Sequence, residues 1–282
     1  MKLLLSKRFY LNPENRPIFK NIKKSGFVKK KIISSKFKKN RVFKLIKYLC
    51  IMGTIQKIGH RGAKGLLAEN TLESIELALS FGVDAIEIDV HRCKSGELVV
   101  IHDFTLDRTT NGSGEITEYN LTELNEVLVE EKYKIPLLTE VLDLIEGKCG
   151  INIELKGTNT AERTCDIVRD YVENKGWKYT DFILSSFQNN ELYEVFQIDK
   201  NIPIGILSKA SVIEAIELGK KLKALAIHPS IGITSRDNVK LSHEAGFKVN
   251  VWTVNDLKSI ERMKDFGVDG IISDFPELLL EI

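Results

Sequence analysis

Long hydrophobic runs are missing from this 282-residue sequence. No apolar stretch approaches the ~18 residues needed to cross a bilayer, so no transmembrane segment is expected. Leu3-Leu4-Leu5 is too short for the hydrophobic region of a signal peptide, and Lys44 and Lys47 interrupt the later apolar patch. Cysteine is scarce as well. Cys50, Cys93, Cys149 and Cys165 form no C-x-x-C pair and show no spacing typical of a secreted disulfide framework. Reduced thiols and a cytoplasmic location are the expectation. Acidic residues are nearly absent from one part of the chain. Residues 1–52 carry sixteen Lys/Arg and a single acid, Glu14, a balance of +15, whereas the remainder carries 25 basic and 38 acidic residues, a balance of −13. A mildly acidic body argues against a nucleic-acid partner.

The basic stretch holds no helical or strand period for long. It reads in three ways: a disordered tail touching nucleic acid or anionic lipid, a transit-type segment, or an extension upstream of a start at Met52. The third is favoured, so residues 1–52 are expected to be disordered or no part of the mature protein, with 53–282 forming the folded domain. Contact with a membrane surface through the basic N-terminus and the oligomeric state are left open.

What is present is apolar content of 43%, enough for a large core. Strand-like runs occur at Ile55–His60, Ala85–Val90, Leu98–Ile101, Gly150–Leu155, Phe182–Ser186, Pro203–Leu207, Ala224–His228, Lys248–Thr253 and Gly270–Ser273. Helical patterns at Thr71–Phe81, Thr139–Ile145, Thr160–Glu173, Gln188–Ile198, Val212–Lys221, Arg236–Ala245 and Asp256–Phe266 separate most of them. Regular alternation of this kind predicts an α/β fold with a parallel sheet and helical crossovers. One strand is surplus to a (β/α)8 TIM barrel. The segment between Val90 and Leu98 is too short for a parallel crossover and contains Ser95-Gly96, so Leu98–Ile101 is expected to fold back as a hairpin arm after strand two.

In Ala85-Ile86-Glu87-Ile88-Asp89-Val90 the period of two puts Glu87 and Asp89 on one face and the aliphatic residues on the other. Two adjacent carboxylates in an apolar run repel each other and are costly to bury without a cation. Oxygen ligands suit Mg²⁺, Ca²⁺ or Mn²⁺. An isolated E-x-D is usually a solvated strand face; here it has company. In a TIM barrel, catalytic groups gather at the C-terminal strand ends. Those ends carry His60-Arg61, Glu87 and Asp89, His102 on the returning arm, Asn152, Glu154 and Lys156 on one face, Ser185-Ser186-Phe187, His228-Pro229 and Trp252-Thr253.

These residues resemble, in order, the motifs of the glycerophosphodiester phosphodiesterases: His60-Arg61-Gly62, Glu69-Asn70-Thr71, Glu87-x-Asp89, Val100-Ile101-His102-Asp103, Glu154-Leu155-Lys156 and Trp252-Thr253-Val254-Asn255. The resemblance runs from about Ile55 to the C-terminus. It implies a distorted TIM barrel that hydrolyses small-molecule glycerophosphodiesters to glycerol phosphate and an alcohol. It also implies one divalent cation held by Glu87, Asp89 and Glu154, with Mg²⁺ or Ca²⁺ ahead of Mn²⁺, His60 and His102 as the acid/base pair, and Arg61 at the phosphate. Ala68 stands where the family commonly has Pro, and Cys93-Lys94-Ser95-Gly96 replaces a T-x-D-G turn. A lysophospholipase D-like or lyase-type reaction at a membrane is the alternative.

Other residues divide between roles. Lys156 reads as a phosphate contact ahead of an ion-pair partner, and Trp252 as core or as a wall for the alcohol. Asn70 is expected to cap a helix with Glu73 three residues on, and Asp274 to cap the last helix. Glu69 is open between ligand and supporting residue, Asp103 is expected to orient the hairpin or His102 rather than bind metal, and His91, His228 and His243 read as bystanders, His228 with a chance of lining the pocket.

Overall fold

The computed structural model describes residues 54–281. The basic segment and the start assigned to Met52 lie outside the described residues. Eight parallel strands form the barrel: β1 (Gln56–His60), β2 (Ala85–Arg92), β6 (Gly150–Leu155), β7 (Phe182–Ser186), β8 (Ile204–Ser208), β9 (Ala226–Pro229), β10 (Lys248–Val251) and β11 (Gly270–Ser273). β1 pairs with both β11 and β2, which closes the ring. The expected strand edges are met to within two residues, and helices fill the connections as expected. β3 (Leu98–Val100) runs antiparallel to β2, with Val90 opposite Val100, so the arm folds back over the C-terminal rim.

The main core lies between barrel and helices. Ile86, Ile88 and Val90 of β2 and Ile151, Ile153 and Leu155 of β6 share one buried cluster with Ile75, Ala78, Val141, Leu142, Ile145 and Val168 from the surrounding helices. Each such side chain contributes about 1.5–3 kcal/mol on burial. Because the aliphatic set faces the helices, the alternate positions of the same strands face the lumen, and several are polar. Asn152, Ser185, His228 and Asn250 are all buried. Glycines make room for them: a Cβ on Gly205 would lie 2.8 Å from His228 Cε1, and one on Gly270 2.5 Å from Asn250 Oδ1.

Between Ile101 and Leu138 the sequence shows no element, yet the structure builds a small lobe there. It contains a hairpin of β4 (Leu128–Val129) and β5 (Tyr133–Lys134) and a short helix, Leu121–Leu124. Its own core of Leu106, Ile116, Leu124, Val127, Val129, Tyr133 and Ile135 is continuous with Val99 and Ile101. Elements of two to four residues are too short to establish a periodicity.

One expected cap differs, and a second helix is capped from outside its own N-terminus. The helix Leu72–Ser80 is capped by Thr71, whose side chain accepts from Ser74 N; Asn70 sits at φ 59° with its side chain turned inward to Asp89. The helix Ala161–Asn174 receives no side-chain bond from its own N-cap, Thr160. Buried Glu191, from the next helix, accepts instead from Asn159 N at 2.8 Å, Thr160 N at 3.0 Å, Thr160 Oγ1 at 3.0 Å and Ala161 N at 2.9 Å. A carboxylate at a helix N-terminus meets both unpaired N–H groups and the positive end of the dipole. Glu191→Ala is therefore expected to lower the unfolding free energy by about 3 kcal/mol, since buried donors lose a charged acceptor. Urea denaturation checks the loss.

Candidate active site

Strand register assembles the site. Parallel pairing sets His60 beside Glu87 and Asp89 beside Glu154. Glu87, Asp89 and Glu154 are all buried, and each offers a carboxylate oxygen within 4.8 Å of the other two. Burial, then the Asp89 and Glu154 charges, pushes the Glu87 carboxyl well above its usual range. Burial and the Asp89 charge push Glu154 up to about 7. For Asp89, burial acts upward, but Arg61, His102, Lys156 and the Asn70 hydrogen bond outweigh it and hold the pKa low. Asp89 Oδ1 is buried without a hydrogen-bond partner among the described residues. Three crowded carboxylates, one with an orphaned oxygen, fit a hard divalent cation, which would relieve the repulsion and occupy the bare oxygen.

Both expected histidines line the same cavity as Glu87 and Glu154. His60 Nδ1 lies 2.5 Å from Asp274 Oδ1, leaving Nε2 3.8 Å from Glu87 Oε2. His102 Nδ1 lies 2.5 Å from Asp103 Oδ1. Each imidazole thus has Nδ1 tied to an aspartate and Nε2 free. Burial lowers the pKa of both rings, with Asp274 opposing it at His60 and Asp89 opposing it at His102. Arg108, in the lobe, holds Asp103 with Nε at 2.5 Å and also reaches Glu69 with Nη2 at 2.6 Å. Glu69 in turn accepts from Arg61 Nη1 at 2.8 Å. Glu69 is therefore outside the carboxylate triad and joins the histidine side of the site to the arginine.

Arg61 donates its backbone N–H to Glu87 Oε2 at 3.0 Å, and its Nε lies 3.1 Å from Asp89 Oδ2 without the alignment of a hydrogen bond. Lys156 Nζ is 3.0 Å from Glu154 Oε1. His60, Arg61, Glu87, His102, Glu154, Lys156 and Trp252 line one cavity of about 420 Å³. Trp252 lines the cavity rather than packing in the core: the indole is half-buried, its N–H bonded to His228 O at 2.8 Å, its ring edge-on to Phe187.

Asp274 departs from the expected capping role. Its two oxygens accept from His60 and Asn255 (2.7 Å), because the chain leaves β11 directly at the barrel rim. The strand-end rule that selected the other residues also covers Asp274, which directly follows Ser273. The helix-start pattern Asp-Phe-Pro-Glu obscured it. Arg108 has no sequence signal, since its position depends on how the lobe folds. His228 lies inside the barrel below the cavity and does not line it. His91 Nε2 reaches His102 O at 3.1 Å and supports the arm.

A closed (β/α)8 barrel with this mouth defines the class of barrel enzymes that cleave phosphodiesters. The sequence model of the glycerophosphoryl diester phosphodiesterase family matches residues 60–278. A glycerophosphodiester phosphodiesterase of Caldanaerobacter subterraneus subsp. tengcongensis is 34% identical over 80% of this chain and 96% of its own length. One from Bacillus altitudinis is 35% identical over 79% and 96%. Among solved structures, an Oleispira antarctica phosphodiesterase in complex with the product sn-glycerol-3-phosphate superposes with a TM-score of 0.73 at 28% identity, covering 80% of this chain and 95% of that one. The chain belongs to the glycerophosphoryl diester phosphodiesterase family and, with it, to the phosphoric diester hydrolases.

Two measurements test this geometry. Asp274→Asn presents an amide N–H to His60 Nδ1 and forces the other tautomer, so kcat should fall by roughly 10²–10⁴-fold with the circular dichroism unchanged. Burial lowers the His228 pKa to about 4, below an unfolded value of about 6.5. Between those values the unfolded chain binds the extra proton, so stability should drop as pH falls from 6.5 to 4, by about 3 kcal/mol from this group. Urea titrations of wild type and His228→Asn across that range should differ by this amount.

Proposed function

We propose that the protein hydrolyses glycerophosphodiesters to glycerol phosphate and an alcohol with one divalent cation held by Glu87, Asp89 and Glu154. The observation that carries the proposal is the convergence, in one cavity, of a buried carboxylate triad and two imidazoles whose Nδ1 atoms are both tied to aspartates. When bound, the cation supplies charge stabilisation to the phosphate oxygens as negative charge develops there. Arg61 and Lys156 add fixed positive charge and orient the diester. One imidazole, neutral at its free Nε2, takes the proton from the attacking oxygen. The other, protonated, delivers a proton to the departing alcohol. Asp274 and Asp103 set the tautomers and stabilise whichever ring carries the charge. Trp252 forms part of the wall beside the alcohol. The lower pKa produced by burial keeps one ring available as a base near neutral pH, while the anionic phosphate favours the charged form of its partner.

The triad's unmatched charge makes the metal requirement the direct test. Protein stripped with EDTA should not turn over glycerophosphocholine, glycerophosphoglycerol or glycerophosphoserine, and adding Mg²⁺, Ca²⁺ or Mn²⁺ separately should restore turnover. His60→Ala and His102→Ala should each lose roughly 10²–10⁴-fold in kcat with metal present. Full activity in the stripped protein, or in either variant, would overturn the proposal.

A further inference from the structure

Among the described residues, four cationic side chains surround the mouth of the barrel. Arg61, Lys64, Lys156 and Lys209 all line it. Three of them already face carboxylates. Arg61 lies 2.8 Å from Glu69 and 3.1 Å from Asp89, Lys64 3.7 Å from Glu69, and Lys156 3.0 Å from Glu154. Lys209, exposed just beyond β8, makes no ion pair among the described residues. Its ammonium stands 5.5 Å from the centroid of the Phe187 ring, and Lys156 Nζ stands 5.9 Å from the same centroid. Phe187 is 38% exposed and packs edge-on against Trp252 at 5.6 Å.

Two consequences follow from this arrangement. An aromatic face attracts cations, and at this wall the protein's own ammonium groups already flank the ring. Among the described residues, the only carboxylates lining the cavity are Glu87 and Glu154, both members of the triad. A quaternary ammonium placed against Phe187 would meet Lys209 with no countercharge beside it. An anionic group there would meet an unpaired lysine at the edge of an apolar wall, where the attraction is less screened than in bulk water.

From this we infer that the alcohol arm of the preferred diester carries an oxyanion, a second phosphate or a carboxylate, received by Lys209 beside Phe187. The inference rests on the phosphodiesterase reading given above. Lys209 binds and selects; it does not touch the reacting atoms.

The test compares kcat/KM of the full chain with Mg²⁺ on three kinds of glycerophosphodiester. The alcohol is choline in one and glycerol in another; in the third kind it is glycerol bearing a terminal phosphate, or glycerate. At low salt the anionic diesters should exceed glycerophosphocholine by about 10-fold or more, and the gap should narrow as ionic strength rises. Lys209→Gln should shrink the ratio and Lys209→Glu should invert it, with melting temperatures matching the wild type. Preference for only the phosphate or only the glycerate substrate identifies which oxyanion the site takes. Equal kcat/KM on all substrates, or a ratio unmoved by both variants, overturns the inference and leaves the phosphodiesterase reading intact. Absence of turnover on every diester removes that reading, and this inference with it.

Discussion

Electrostatic repulsion among Glu87, Asp89 and Glu154 is the constraint from which the rest of the mouth follows. Three carboxylates with oxygens within 4.8 Å of one another, all withdrawn from water, cannot be ionised together without compensation. The protein supplies part of it through the Arg61 backbone N–H, the Asn70 amide and the Lys156 ammonium. It leaves Asp89 Oδ1 bare. A structure selected for stability alone would fill such a lumen with aliphatic side chains, as most barrels of this kind do. The polar lumen is instead a standing cost, and it is offset by the apolar layer between strands and helices.

Around that centre, the two imidazoles and Arg61 are held by carboxylates outside the triad. Asp274 reaches His60 from just past the last strand. Asp103 sits next to His102 but is held by Arg108 from the inserted lobe, and Arg108 also grips Glu69, the partner of Arg61. One small lobe therefore links the partner of an imidazole and the partner of Arg61 through the same guanidinium.

Much of this was legible in the sequence. Strand–helix alternation gave the barrel, and the seven-residue gap between Val90 and Leu98 exposed the returning arm. Period-two alternation put Glu87 with Asp89 and Asn152 with Glu154. The legible parts share a cause: they depend on spacing within one element. The misassigned parts do not. Asn70 and Asp274 occupy positions that suit helix caps, and their actual partners, Asp89 and His60, are 19 and 214 residues away. The lobe from Ile101 to Leu138 escaped because its elements are too short to show a period. His228 was placed at a strand end, but only closure of the ring decides that this position lies beneath the cavity.

By itself, then, the sequence determined which residues share a strand face and how many strands the ring contains, because side-chain direction along a strand is set by local backbone geometry. Only the tertiary structure decided the parallel register that puts Asp89 beside Glu154, the pairing of each imidazole with its aspartate, and the approach of the Lys209 ammonium to the Phe187 ring. Those depend on distances between segments far apart in the chain, and such distances exist only once the barrel has closed.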